Sequence, residues 1–140
     1  MLVEFRQVRQ GDERLFERVA EDVFDEPIDA RRLAAYLAEP SHHMIVALHD
    51  GWIVGQVMAV VHRHPDKATE LYIDEVGVTP DLQRQGIGRA MLDRMFALGR
   101  NLGCSEAWVG TEPDNVPARA LYAERGGPAG ETFVMYVVDL

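Results

Sequence analysis

Cysteine is nearly missing from this chain: Cys104 stands alone among 140 residues. An internal disulfide is therefore excluded, and the composition fits a reducing compartment, the cytoplasm. Long apolar runs are missing too. No stretch approaches the length of a membrane span, and the N-terminal residues Met1 to Arg6 alternate like a strand without a signal-peptide core. Basic residues are scarce. Fourteen Lys and Arg against 23 Asp and Glu leave a formal charge of −9, which argues against nucleic acid or an anionic membrane as partner. The five histidines, His42, His43, His49, His62 and His64, follow no zinc-ligand spacing, so no metal site is expected. Low-complexity runs, internal repeats and linker-like composition shifts are absent as well. A single domain over residues 1–140 is the resulting expectation, long enough for one substantial core.

What the chain does have is a strand, a turn and a glycine-bearing helix start, Val76-Gly77-Val78-Thr79-Pro80-Asp81-Leu82-Gln83-Arg84-Gln85-Gly86-Ile87-Gly88-Arg89. Ile87, Met91, Met95, Leu98 and Leu102 recur at helical spacing beyond it, so Gly86 and Gly88 fall in the first turn of a buried helix. Glycine costs stability there, and a local reason is needed. Anion binding supplies one. The first N–H groups of a helix lack partners and carry the positive end of the dipole, and missing Cβ atoms let phosphate oxygens approach them. The dinucleotide fingerprint requires a third glycine where Met91 stands, and a P-loop requires Lys-Ser/Thr after the glycine where Arg89 stands.

The remaining pattern, Gln83-x-x-Gly86-x-Gly88 after a strand, resembles the coenzyme A pyrophosphate loop of the GNAT superfamily of N-acetyltransferases. A second motif, Asn115-Val116-Pro117-Ala118-Arg119-Ala120-Leu121-Tyr122, lies about thirty residues on. Asp114 or Asn115 can cap this helix, Pro117 suits its first turn, and Gly126-Gly127 end it. It is similar to the second GNAT motif, in which the Asn touches the pantetheine arm and the Tyr faces the thioester sulfur. The resemblance covers residues 2–140.

Patterning predicts a strand over 2–9, a helix over 11–21, a second helix capped by Asp29 and running to Ala38, and strands over 44–48 and 52–61 joined at Asp50-Gly51. Further strands follow over 70–78, 104–110 and 131–139, with the long helix and a short helix over 115–125 between them. Gly77 hints at a bulge or a close ligand approach, and Cys104 reads as a buried structural thiol. This order gives an α/β fold, a mixed sheet with helices on both faces. The GNAT resemblance implies the same, with the strands at 70–78 and 104–110 splayed around the pantetheine. Only thirteen residues follow Gly127. That shortens the usual C-terminal hairpin and leaves part of the pocket to be completed, a homodimer being one way to do so.

The resemblance also implies site roles. Gln83, Arg84, Gln85, Gly86, Gly88 and Arg89 would hold the pyrophosphate of acetyl-CoA, with the backbone of Val76 and Val78 beside the thioester, and Asn115 and Tyr122 along the arm. Tyr122 would protonate the leaving thiolate. The segment Glu70-Leu71-Tyr72-Ile73-Asp74-Glu75-Val76-Gly77-Val78 resembles the aminoglycoside 3-N-acetyltransferase type I group, in which the acid matching Glu75 is the proposed base. Strand alternation forbids Asp74 and Glu75 from sharing a face unless the strand is bulged. Asp25, Glu26 and Asp29, in the connection between the first two helices, and Glu112 and Asp114, after the fifth strand, would join Asp74 in binding a cationic acceptor. An amine N-acetyltransferase acting on an aminoglycoside is the leading expectation, with a consequence in antibiotic resistance. Acceptors of the polyamine or peptide kind, and a non-catalytic acyl-CoA sensor, remain alternatives.

Overall fold

The computed structural model describes residues 1–126 and 130–140. The expected C-terminal glycine Gly127 lies outside them. Contacts divide the chain into two units, Met1–Gly110 and Thr111–Leu140.

The first unit is built on a five-stranded sheet, β1 (Glu4–Gln7), β2 (His42–His49), β3 (Trp52–His62), β4 (Glu70–Val78) and β5 (Glu106–Val109), in that spatial order. Neighbours are antiparallel except β4 and β5, which run parallel. Asp50 and Gly51 close the β2–β3 hairpin with φ of 49° and 79°, the left-handed pair that matches strand twist in a two-residue turn. Between β4 and β5 runs α2 (Ile87–Asn101), packed on β2, β3 and β4. Its buried stripe is Ile87, Met91, Leu92, Met95 and Gly99. Leu102, expected in that stripe, lies past the helix end and is exposed. On the other sheet face α1 (Ala30–Ala38) and a short 3-10 turn at Glu13–Glu17 cover a cluster of Val8, Phe16, Val23, Leu33, Met44, Val46, Leu48 and Ile53.

Several expectations change. The first strand is shorter than 2–9, and β5 is shorter than 104–110. The helix expected over 11–21 is only the 3-10 turn. Asp12 bonds back to the Arg9 N–H at 2.9 Å and caps nothing, while Arg18 and Ala20 exchange backbone hydrogen bonds with Ile53 of β3. Tertiary pairing therefore takes the backbone groups that a longer helix would need. Asp29 does cap α1, accepting from the Arg32 N–H at 2.9 Å. Cys104 precedes β5 and is half-buried; burial pushes its thiol up.

The second unit contains α3 (Val116–Gly126), opened by Asn115, whose Oδ1 accepts from the Ala118 N–H at 3.2 Å. The strand expected over 131–139 does not form. Residues 130–140 are without regular structure, and Phe133, Val134, Met135, Tyr136, Val137 and Val138 are exposed. Their apolar character raises strand propensity, but a strand exists only where an edge pairs with it. Among the described residues no helix is long and apolar enough to cross a membrane.

Candidate active site

Two irregularities in β4 define the site. The first is where its pairing with β5 stops. The parallel register runs from Glu70 opposite Glu106 to Ile73 opposite Val109. On its other edge β4 stays paired with β3 as far as Val78. Residues 74–78 thus border an opening between two strands of one sheet. Tyr72 and Trp108 pack together one pair before the last, with ring centroids 4.2 Å apart.

The second irregularity is a bulge. Met58 of β3 opposes Glu75, and Ala59 opposes Ile73, so Asp74 is an extra residue. Leu71 and Ile73 are buried, and Leu71 meets Gly99 of α2. In a regular strand Glu75 would follow them to the α2 side. The bulge turns it to the opposite face. There Glu75 accepts a hydrogen bond from Gln56 Nε2 at 3.0 Å and shares another with the Asp25 carboxyl. Asp74 is exposed, and its charge acts both on Glu75 and on the Tyr36 phenol of α1.

Burial raises the Glu75 carboxyl first, and Asp25, by charge and hydrogen bond, and Asp74 push it further, to about 7 from an ordinary 4.5; the Gln56 hydrogen bond works in the other direction. A carboxyl with that midpoint accepts a proton readily near neutral pH. Tyr36 is raised by burial and then by Asp74, and its hydroxyl donates to the His43 carbonyl at 3.1 Å.

Gly77 follows on the same strand. A Cβ there would lie 2.4 Å from the Val23 carbonyl oxygen. Where a ligand's approach or a bulge is expected, Gly77 meets the chain's own backbone, and the bulge falls three residues earlier. This contact sets the segment that carries Asp25 directly on β4.

The turn after β4 is open to solvent. Gln83 braces it, donating from Nε2 to the Val78 carbonyl at 3.0 Å. Arg84 and Gly86 have φ of 65° and 82°. Gly86 is the N-cap of α2, and among the described residues no atom beyond its chain neighbours lies within 4 Å of the place its Cβ would take. Its left-handed conformation, with open space around it, explains the glycine. The first intrahelical bond is Ala90 N–H to the Gly86 carbonyl. The N–H groups of Ile87, Gly88 and Arg89 therefore precede the ladder and point out of the helix start. No acidic residue stands in this first turn, and Arg89 does. The positive end of the helix dipole favours a bound anion there. Together these features fit a pyrophosphate.

The remaining expected residues divide by unit. Asp25 and Glu26 are exposed in the first unit, and Asp29 is engaged as the α1 cap. Gln85 is exposed in the turn. In the second unit Glu112 and Asp114 are exposed ahead of α3, and their carbonyls accept from the N–H groups of Asn115 and Val116. Burial pushes the Tyr122 phenol up. Sequence reasoning missed Gln56. The signal was present, a lone amide in the apolar run Trp52 to His62. Among the described residues, no group of three His, Cys, Asp or Glu side chains is arranged to hold a metal.

Known proteins share this architecture. An uncharacterised N-acetyltransferase of Mycobacterium tuberculosis is 30% identical over 102 residues, 73% of this chain and 63% of that protein, so the matched stretch spans under two thirds of its length. The ribosomal protein bS18 alanine N-acetyltransferase of Escherichia coli is 35% identical over 63 residues, 41% of this chain and 43% of that one. Among solved structures, an aminoglycoside acetyltransferase from an uncultured soil metagenomic sample, in complex with sisomicin, superposes with a TM-score of 0.80 at 22% identity, covering 99% of this chain and 96% of that one. AAC(6')-Iy in complex with a bisubstrate analogue of CoA and acetylneamine also gives 0.80, at 18% identity and full coverage of both chains. At such identities these structures show a common fold. The Acetyltransferase (GNAT) family itself matches residues 5–127, a stretch that holds the bulged strand, the open helix start and both sequence motifs, and the chain belongs to that family.

Proposed function

We propose that this chain transfers the acetyl group of acetyl-CoA to an amine of a cationic small molecule, an aminoglycoside at its 3-N position. The observation that carries the reading is the carboxylate group at the β4 opening, with Glu75 at its centre and a midpoint near 7. The N–H groups of residues 87–89 and the turn residues Gln83 to Gly86 are assigned the pyrophosphate, and the β4 edge at Val76 to Val78 the thioester arm. Acetyl-CoA supplies an activated acyl group to this frame.

Glu75 takes one proton from the acceptor ammonium, directly or through a water, and so releases the neutral amine. The amine nitrogen bonds to the acyl carbon, the carbon–sulfur bond breaks, and the sulfur leaves as thiolate. Tyr122, assigned on its motif, gives the thiolate a proton and regains one from the nitrogen as the amide forms. One proton thus remains on Glu75 and one on sulfur. Asp25, Glu26 and Asp74 attract and orient the remaining ammonium groups. The 3-N position rests on the likeness of Glu70 to Val78 to the type I group, while AAC(6')-Iy, as its designation says, is of the 6' type.

The test is thiol release from acetyl-CoA with a panel of aminoglycosides, polyamines and N-terminal peptides, the products being identified by mass spectrometry. Acetylation of an aminoglycoside at N3 is the expected result. Turnover of peptides alone would favour an acceptor like that of the bS18 relative. Absence of turnover with retained acyl-CoA binding would leave a sensor.

A further inference from the structure

Gln56 is fully buried in the middle of β3, and Thr79 is the one other buried polar residue among those described. Its surroundings on the strand are Val54, Val57 and Met58. Both Nε2 hydrogens are committed, one to the Val23 carbonyl at 3.1 Å and one to Glu75 Oε2 at 3.0 Å. Oε1 is buried without a partner among the described residues. Turning the amide over would set Oε1 against two oxygens, so the neighbours fix its orientation. An unmatched buried carbonyl costs about 1–3 kcal/mol, and an apolar side chain of the same shape would avoid that cost. The position is thus a poor choice for packing alone.

What the amide joins is informative. Val23 lies two residues before Asp25, and Glu75 is the residue the bulge turns inward. We propose that Gln56 is the positioning residue of the Asp25–Glu75 carboxyl pair: it ties the Val23–Asp25 segment to bulged β4 and donates to the Glu75 carboxylate, keeping it a proton acceptor. This rests on the reading of Glu75 as the base. The groups facing Glu75 are Asp25 from the connection before α1, Asp74 from β4 itself and Gln56 from β3, with Tyr36 of α1 beyond Asp74. Both acids favour the protonated form of Glu75. Gln56 is the group that opposes them, and an acid that stayed protonated through neutral pH would be a poor base.

The experiment compares wild type with Gln56→Met, which keeps the shape and removes the donor, and Gln56→Glu, which adds a like charge. The Glu75 carboxyl is titrated by carbon-13 NMR without substrate, after circular dichroism confirms folding. The pH dependence of kcat/KM is then measured with the best amine from the panel, alongside Glu75→Gln. Gln56→Met is expected to move the Glu75 midpoint up by about one pH unit, and the acid limb of kcat/KM with it, with about a fivefold loss at pH 7 and recovery by pH 9. Gln56→Glu is expected to move the midpoint at least as far, and it decides the matter if the Met variant does not fold. A midpoint and limb unchanged in the folded variants, with only thermal stability reduced, would overturn the proposal. Retention of the acid limb by Glu75→Gln would instead remove Glu75 as base, while the NMR midpoint would still report whether Gln56 governs the pair.

Discussion

Gly77→Ala is the sharpest test of how the site is held together. Gly77 lies in β4 with ordinary strand geometry, so alanine brings no backbone strain, and the whole effect comes from one added carbon. That carbon would lie 2.4 Å from the Val23 carbonyl oxygen and 3.3 Å from Gln56 Nε2. Relief requires Val23 to retreat by roughly 1 Å to reach an ordinary contact, which stretches or breaks its bond to Gln56. Overpacking of this kind costs about 1–3 kcal/mol, and losing the buried hydrogen bond about 1 kcal/mol more. The expected loss is therefore about 2–4 kcal/mol, or roughly 6–12 °C in Tm for a domain this size. Urea unfolding followed through Trp52 and Trp108 fluorescence measures it. Two other glycines serve as internal standards. At Gly99 a Cβ would meet Leu71 Cδ2 at 2.8 Å, but that methyl can rotate away, and alanine gains about 1 kcal/mol in a helix. Gly99→Ala should be close to neutral. At Gly86 nothing is near, yet φ is 82°, so Gly86→Ala should lose about 1–2 kcal/mol through conformation alone. A Gly77→Ala protein within 0.5 kcal/mol of wild type, or one less affected than Gly99→Ala, would refute the close-contact account.

Glu75→Gln should change stability in a pH-dependent way. The folded midpoint of about 7 exceeds the ordinary 4.5, so the contribution of Glu75 is fully present below pH 4.5 and is lost as pH rises through 7. For a fully buried group the difference would approach 3 kcal/mol, and solvent at this half-buried carboxyl reduces it to about 1 kcal/mol. The variant should melt with wild type near pH 4 and above it at pH 8, and a constant offset would contradict the shift. Gly88→Glu should weaken acetyl-CoA binding at least about tenfold by calorimetry, because it places a carboxylate among the N–H groups assigned to phosphate. Tyr122→Phe should lower kcat by about tenfold to a thousandfold while leaving acetyl-CoA affinity nearly unchanged, and an unchanged kcat would assign the thiolate proton to another donor. Asp25→Ala or Glu26→Ala should raise KM for a polycationic acceptor and flatten its dependence on salt, measured between 20 and 300 mM as roughly one to several Debye-length regimes.

The sequence made the helix start legible because glycine there has few readings: Gly86 and Gly88 stand where helix propensity would select against them. The hairpin at Asp50-Gly51 and the Asp29 cap were legible for the same reason, since each depends on residues three or fewer positions apart. Features set by distant pairing were not. The helix expected near residues 11–21 yielded to Ile53, more than thirty residues away, and the apolar pattern at 131–139 could not reveal whether an edge would receive it. The base was half legible. Its residue type and strand could be named, but its direction depended on the register between Met58 and Ala59, which no local pattern in β4 announces.

That register has an evolutionary consequence. The one extra residue in β4 is Asp74, so the pairing of two neighbouring acids at the opening is encoded by chain length as much as by side-chain identity. Removing Asp74 would restore a regular ladder with Glu75 directly after Ile73, still opposite Met58 and still turned away from α2, so the acid would keep its direction and lose only its charged neighbour. Substitutions elsewhere on the strand change what the pocket prefers by degrees. A single-codon insertion after Ile73 in an unbulged ancestor would therefore add a second acid, Asp74, beside one already facing the opening, and in one step change the charge around Glu75 without redirecting it.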